Sequence, residues 1–311
     1  MRVLRLSVTD SCNFRCCYCM PALGAVPESC RNLPIPELFK SAAWVIRNTH
    51  VERVRLTGGE PLLRAGLEEL VRQLTSLPSV REVSLTTNGS LLSKMAKPLR
   101  SAGLARVNIS LDSLDPARFS EVTRGGRLEQ TLSGIEAARE AGLLPIKLNT
   151  VLRRSTWRQE VPALLDYAAQ QGDQLRFIEL MRTGTERAWC DSELVGVDEV
   201  LDWITERATV ERGHSTARPA KQTRVLWGGK WLSVGWIAPR THPFCTTCER
   251  MRMDARGRVR RCLMDPATLD VPGLLRGHTN EGAIDALRGY LARKTAPLEM
   301  DCDHAMSHIG G

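Results

Sequence analysis

Six short runs of aliphatic and β-branched residues recur in the first 180 positions: Val3–Val8, Val54–Thr57, Val83–Thr87, Val107–Leu111, Ile146–Val151 and Leu175–Leu180. Helical stripes separate them. Ile35, Leu38, Phe39, Ala42 and Ile46 form the first, and Leu67, Leu70, Val71 and Leu74 the second. Leu91, Met95, Leu99 and Ala102 form a third, which Pro98 should kink or shorten. Leu128, Leu132, Ile135 and Ala138 form a fourth, and Val161, Leu164, Leu165 and Ala168 a fifth. Gly103, Gly142 and Gly172 stand where the last three should stop. Strands alternating with helices of this length specify βα units and a parallel sheet. Six right-handed units curve into an α/β fold, an incomplete (β/α)6 TIM-like barrel.

The strands carry a second pattern. A parallel strand covered on both faces should be almost continuously apolar. Here Arg5 and Ser7, Arg55 and Thr57, Ser84, Thr86 and Asn88, Asn108, Ser110 and Asp112, and Lys147 and Asn149 alternate with aliphatic residues. One sheet face is thus polar. It is either the solvated face of an open sheet or a barrel lumen that holds a polar ligand, and parallel pairing favours the lumen.

Beyond about residue 181 the alternation stops. Val197–Arg207 and Glu281–Lys294 read as helices, and Thr223–Trp227 with Lys230–Ile237 read as a hairpin across Gly228-Gly229. The chain divides into a partial barrel, 1–181, and a smaller C-terminal region, 182–311, expected to pack over the barrel's open side. No apolar run reaches the ~18 residues of a membrane span, and the N-terminus has no secretory pattern. A cytoplasmic location is expected. The balance of 43 Lys+Arg against 35 Asp+Glu, net +8, favours an anionic ligand. Aromatic residues make up only 5% and do not interleave with basic runs, which disfavours nucleic acid.

In a reducing compartment ten cysteines point to metal or redox chemistry. Cys12, Cys16 and Cys19, spaced C-x3-C-x2-C, follow the first strand, where active-site loops of parallel barrels sit. Three thiolates can hold three corners of a [4Fe–4S] cube and leave one iron open. Zinc, with Cys17 or Cys30 as a fourth ligand, is the alternative. Cys245, Cys248 and Cys262 form a second trio, for which zinc completed by His242 or His278 is again the alternative. Arg250 and Arg252 follow at alternate positions, with Arg256, Arg258, Arg260 and Arg261 beyond, and such cations call for an anion. Thr57-Gly58-Gly59-Glu60-Pro61 ends the second strand on the same rim as the first cysteine loop. Its glycines allow close backbone approach to a ligand.

C-x3-C-x2-C with Tyr18 before the last cysteine, followed by GGEP at the end of the second strand, resembles the radical S-adenosylmethionine (SAM) superfamily. LRLSVTDSCNFRCCYCMP, LTGGEPLLR, TTNG, VNISLDSLD, FIELMRTG, FCTTCERMR and the terminal Met306–Gly311 resemble, in order and over nearly the whole chain, the MoaA family. Members of that family are GTP 3′,8-cyclases of molybdenum cofactor biosynthesis. The resemblance implies that Cys12, Cys16 and Cys19 hold a SAM-binding [4Fe–4S] cluster, with Tyr18, Gly59, Ser110 and Met181 contacting SAM. It implies that Cys245, Cys248 and Cys262 hold a second [4Fe–4S] cluster. Arg5, Arg55, Thr86, Lys147, Arg250, Met251 and Arg252 would contact GTP. No side-chain acid or base is implied for the first step; a 5′-deoxyadenosyl radical would take hydrogen from C3′ of GTP. A flavodoxin- or ferredoxin-type electron donor, a downstream pterin-forming enzyme and a homodimer follow as expected partners, and the Gly310-Gly311 tail as a segment entering the site. Glu249 departs from the family's usual Asn and would place an acid beside the nucleotide. The other readings are a radical SAM paralogue acting on another nucleotide or on a peptide, and a non-catalytic iron–sulfur nucleotide-binding protein.

Overall fold

The computed structural model describes residues 1–20, 32–183, 187–213, 220–294 and 301–302. The first six strands are β1 (Val3–Ser7), β2 (Arg53–Thr57), β3 (Glu82–Thr87), β4 (Arg106–Ser110), β5 (Lys147–Leu152) and β6 (Gln174–Glu179). The intervening helices are α1 (Ile35–Arg47), α2 (Leu67–Thr75), α3 (Leu92–Ser101), α4 (Pro116–Thr123), α5 (Leu128–Glu140) and α6 (Trp157–Gln171). Then come β7 (Arg182–Thr183), α7 (Arg187–Ser192), α8 (Val197–Thr205), β8 (Thr209–Arg212), β9 (Lys221–Trp227), β10 (Lys230–Ile237), β11 (Arg250–Met253), β12 (Arg258–Arg260), β13 (Leu269–Asp270), α9 (Val271–Gly277), α10 (Asn280–Ala292) and β14 (Asp301–Cys302).

The strands β1 to β6 pair in parallel in sequence order, as six consecutive βα units require. Leu4, Leu6, Val54, Leu56, Val83, Leu85, Val107, Ile109 and Leu148 form the apolar face and are at most 1% exposed. The helices cover that face, and the polar face lines the lumen. Gly103, Gly142 and Gly172 have φ of +102°, +71° and +75° just past the ends of α3, α5 and α6. Pro98 does not end α3, which runs on to Ser101. The buried stripe of α3 is Leu92, Ala96 and Leu99, one position later than the sequence pattern suggests at its start.

The C-terminal region does more than sit on the open side. The sheet continues at both edges, in the order β13-β12-β11-β1-β2-β3-β4-β5-β6-β10-β9-β8. β11 runs parallel to β1, with Arg252 opposite Arg5, and β10 runs parallel to β6. A parallel β strand leaves ladder groups on both sides, and these pairings satisfy them. The hairpin of β9 and β10 turns at Gly228 (φ +53°) and Gly229 (φ +77°), the backbone that a two-residue type I′ turn needs. Cys30 and the Gly310-Gly311 tail lie outside the described residues.

Candidate active site

A cavity of about 910 Å³ occupies the lumen, and both cysteine trios line it. They stand at opposite ends. Cys12, Cys16 and Cys19 follow the C-terminal end of β1. Cys245 and Cys248 precede β11, which is parallel to β1, and Cys262 follows β12, which is antiparallel to β11. The second trio therefore sits at the N-terminal end of the barrel strands.

The first loop is held by backbone contacts. Cys19 N and Met20 N both donate to Cys16 O, at 2.9 and 3.1 Å. Arg15 N and Cys17 N donate to Thr123 O and Val122 O of α4, and Arg124 Nη1 to Met20 O. Gly59 N donates to Thr9 O and Glu60 N to Ser11 O, each at 2.8 Å, so the glycine turn lies against the cysteine loop itself. A Cβ at Gly59 would collide with the Ser11 carbonyl. Before any ligand is considered, the glycines are needed to bring these two loops together. Glu60 is buried and accepts from Leu62 N, Thr87 Oγ1 and Asn88 N. Asn88 Nδ2 in turn donates to Asn13 Oδ1, next to Cys12. Tyr18 Oη donates to Asp112 Oδ2 at 2.6 Å, while Asp112 Oδ1 accepts from Val151 N.

Burial pushes Cys12 up to about 11. Burial also raises Cys16, and Asp112, Cys19 and Cys12 add to the effect. At the other end burial raises Cys245, with Cys262 and Cys248 next in importance. Burial opposes ionisation at Cys248 too, but Arg250 and Lys294 outweigh it and bring the thiol to about 7. Cys12, Cys16, Cys17, Cys19, Cys190, Cys245, Cys248 and Cys262 form no disulfide. Among the described residues no group of three or more Cys, His, Asp or Glu is gathered to hold a single metal ion. Three thiols that feel one another's charge at each end supply three corners of an iron–sulfur cube and leave one iron open. His242 is engaged elsewhere, its Nε2 lying 2.5 Å from Asp198 Oδ2. Both trios thus fit an iron–sulfur cube.

Between the trios runs a belt of cations. Arg252, Arg5 and Arg55 are neighbours in register across β11, β1 and β2. Burial, then Arg252, Arg55 and Arg250, hold Arg5 below the usual guanidinium range. Burial, then Arg176, Arg106 and Arg250, bring Arg55 down to about 9. Cations that depress one another in an enclosed space favour an anion between them. Thr86, Ser110, Lys147 and Met181 line the same cavity.

Met251 stands apart. It is opposite Leu4 and fully buried in the core, so any contact it makes with a ligand has to come from its backbone. Glu249 Oε1 lies 3.5 Å from Arg2 Nε, and that pairing tempers its charge at the cavity's edge. Among the cavity residues with no role in the sequence reading are Arg106, paired with Glu82 at 2.6 Å; Arg176, whose Nη1 donates to Asn108 Oδ1; and Lys294. The period-2 pattern of β6 was a signal for Arg176. Lys294 lies at the foot of a helix, where no strand alternation reveals it. Asn149 Oδ1 is buried without a partner, in register with Ser110.

A parallel barrel of six βα units with a C-x3-C-x2-C loop on its C-terminal rim defines a radical SAM protein. Residues 6–168 match the Radical SAM superfamily and residues 173–300 match Molybdenum Cofactor Synthesis C. The chain is 41% identical over 305 residues to GTP 3′,8-cyclase 1 of Pseudomonas aeruginosa, covering 95% of this chain and 90% of that protein. It is 40% identical over 325 residues to GTP 3′,8-cyclase of Pelotomaculum thermopropionicum, covering 99% and 97%. The fold is similar to that of Streptococcus suis SuiB bound to S-adenosylmethionine, with TM-score 0.58, 14% identity, and 86% of this chain and 62% of that chain covered. HydG, a maturase of the [FeFe]-hydrogenase, gives TM-score 0.53 at 13% identity, covering 66% and 48%. The chain belongs to the radical SAM superfamily and, within it, to the family of the GTP 3′,8-cyclases.

Proposed function

We propose that this chain converts GTP to (8S)-3′,8-cyclo-7,8-dihydroguanosine 5′-triphosphate in molybdopterin biosynthesis. The observation that carries this reading is one cavity with a cysteine trio at each end and cations between. Cys12, Cys16 and Cys19 hold one [4Fe–4S] cluster and Cys245, Cys248 and Cys262 the other. With SAM bound, the first cluster would supply the radical chemistry that removes H3′ from GTP, and bonding of C3′ to C8 would be completed by one electron from the donor and one proton.

The residues of the chain bind, aim and exclude water. Gly59, Ser110 and Met181, with Tyr18 fixed by Asp112, surround SAM on the upper rim. Arg5, Arg55, Lys147 and Arg252 neutralise the triphosphate, Thr86 adds a hydroxyl, and Arg250 and the Met251 backbone act near the second cluster. No side-chain base is needed. The chemistry requires the reacting atoms to be held at near-attack distance, ~3–3.5 Å, and the lumen would shield them from solvent.

The belt's charge density makes a polyphosphate a better fit than a neutral peptide. Among the described residues no helix is long and apolar enough to cross a membrane. A cytoplasmic enzyme fits that, reduced by a flavodoxin- or ferredoxin-type donor, acting as a homodimer, and passing its product to a pterin-forming enzyme. Anaerobic reconstitution tests the reading. About eight irons per chain, GTP-dependent release of 5′-deoxyadenosine, and the cyclised nucleotide by mass spectrometry are expected. Four irons, or release indifferent to GTP, would remove it.

A further inference from the structure

Lys294 follows α10 and reaches back into the cavity wall. Its Nζ lies 3.4 Å from Cys248 Sγ, 2.6 Å from the Arg250 carbonyl and 3.7 Å from Met1 Sδ. Its described partners are thus two sulfurs and a carbonyl, and among the described residues no carboxylate forms an ion pair with it. The same sulfur receives Arg250 Nε at 3.5 Å. The proposed function commits Arg250 to substrate as well; Lys294 has no such second duty.

We propose that Lys294 is a positioning residue of the second cluster, whose ammonium sets that cluster's reduction potential through its hydrogen bond to Cys248 Sγ. The inference rests on the reading that Cys245, Cys248 and Cys262 hold a cluster. Reduction adds negative charge to the cube and its thiolates. A cation donating to a ligating sulfur stabilises the reduced state more than the oxidised one, and hydrogen bonds to sulfur are among the main determinants of such potentials. Cys248 and Lys294 are both half-buried, so solvent screens the contact less than it would between fully exposed side chains. The bond to the Arg250 carbonyl fixes the ammonium, so the charge stays at one distance from the sulfur.

The test is a potentiometric titration followed by electron paramagnetic resonance. It uses full-length, anaerobically reconstituted protein carrying Cys12→Ala and Cys16→Ala, so that the second cluster is read alone. Lys294→Gln should move the midpoint to more negative potential, a change on the order of tenfold in the reduced-to-oxidised ratio, or ~59 mV for one electron. Lys294→Arg should restore most of that ratio. If Lys294→Gln loses the cluster's iron while Lys294→Arg keeps it, Lys294 retains the cluster rather than tuning it, and the proposal is overturned. A midpoint unmoved by Lys294→Gln overturns it. So does an equal shift or loss in both variants, which would make Lys294 a structural tie only. If the background protein holds no iron before Lys294 is changed, the assignment of the second trio fails and this inference falls with it. If it holds iron that is deaf to Lys294→Gln, only the inference falls.

Discussion

Arg55 sits at a cost that a bound anion offsets. It lines the cavity among Arg5, Arg106, Arg176 and Arg250, and its Nε is buried without a hydrogen-bond partner. An enclosed cation with like charges around it destabilises the empty protein. Arg55→Met should therefore raise the unfolding free energy of the metal-free chain by about 1–2 kcal/mol while weakening GTP binding at least about tenfold, since a charge-assisted phosphate contact is lost. Urea unfolding and calorimetric titration read the two effects; a variant that loses both stability and affinity contradicts the argument. Glu60 gives a pH dependence. Burial outweighs its three hydrogen bonds and raises the carboxyl from 4.5 to about 7. Between those values the folded chain binds more protons than the unfolded one, so this contribution is full below about pH 4.5 and is lost as pH rises through about 7. Relative to Glu60→Gln, the wild type should lose about 2–3 kcal/mol between pH 4.5 and 8. Denaturant midpoints of the metal-free proteins across that range check it, and parallel curves would count against it. The position of the cysteines and of the lumen cations of β1 and β2 along the cavity was legible because residue type and period-2 alternation mark them; the buried carboxyl of Glu60 was not, because it lies past the end of β2. Lys294 was not, because only the fold brings it to Cys248.

At the scale of elements, the six strands follow the hydrophobic pattern to within one residue at either end, since alternation and aliphatic content agree there. The short helix α4 escaped it, although Asp115 with Pro116 is a helix start; the Asp115 side chain accepts from Arg118 N at 2.9 Å. Eight residues carry too little periodicity to stand out. That omission mattered, because α4 supplies the carbonyls that hold Arg15 and Cys17. β11 was also hidden. Arg250 and Arg252 drew attention as cations, while the alternating Met251 and Met253, both fully buried, mark a strand. Element packing offers a sharp test at Gly134. A Cβ there would collide with the Gly89 carbonyl, where α5 crosses the turn after β3. Gly134→Ala should cost about 1–3 kcal/mol by overpacking and loosen Asn88, whose carbonyl accepts from Thr131 Oγ1 of α5. Thermal unfolding together with SAM affinity reads both, and an unchanged melting temperature would refute the close packing.

For the molecule as a whole, no periodicity within residues 182–311 says that β10 and β11 attach to opposite edges of the barrel. That pairing is non-local and depends on the finished sheet. It makes the two halves interdependent. A chain ending at residue 181 leaves β1 and β6 each with a bare edge, and should aggregate or melt without a cooperative transition. Scanning calorimetry and size-exclusion chromatography of that fragment decide the point, and a sharply melting monomer would show that the halves are separable. Because the trios lie at the two ends of one lumen, Cys262→Ala should keep the first cluster and SAM cleavage while uncoupling that cleavage from GTP. Iron analysis and deoxyadenosine yield with and without GTP measure this.

The seam between β1 and β11 also orders events during synthesis. β1 gains β11 as its second neighbour only after residue 253 has been made. Throughout elongation the nascent trough stays unpaired along one side, an edge of the kind that chaperones guard.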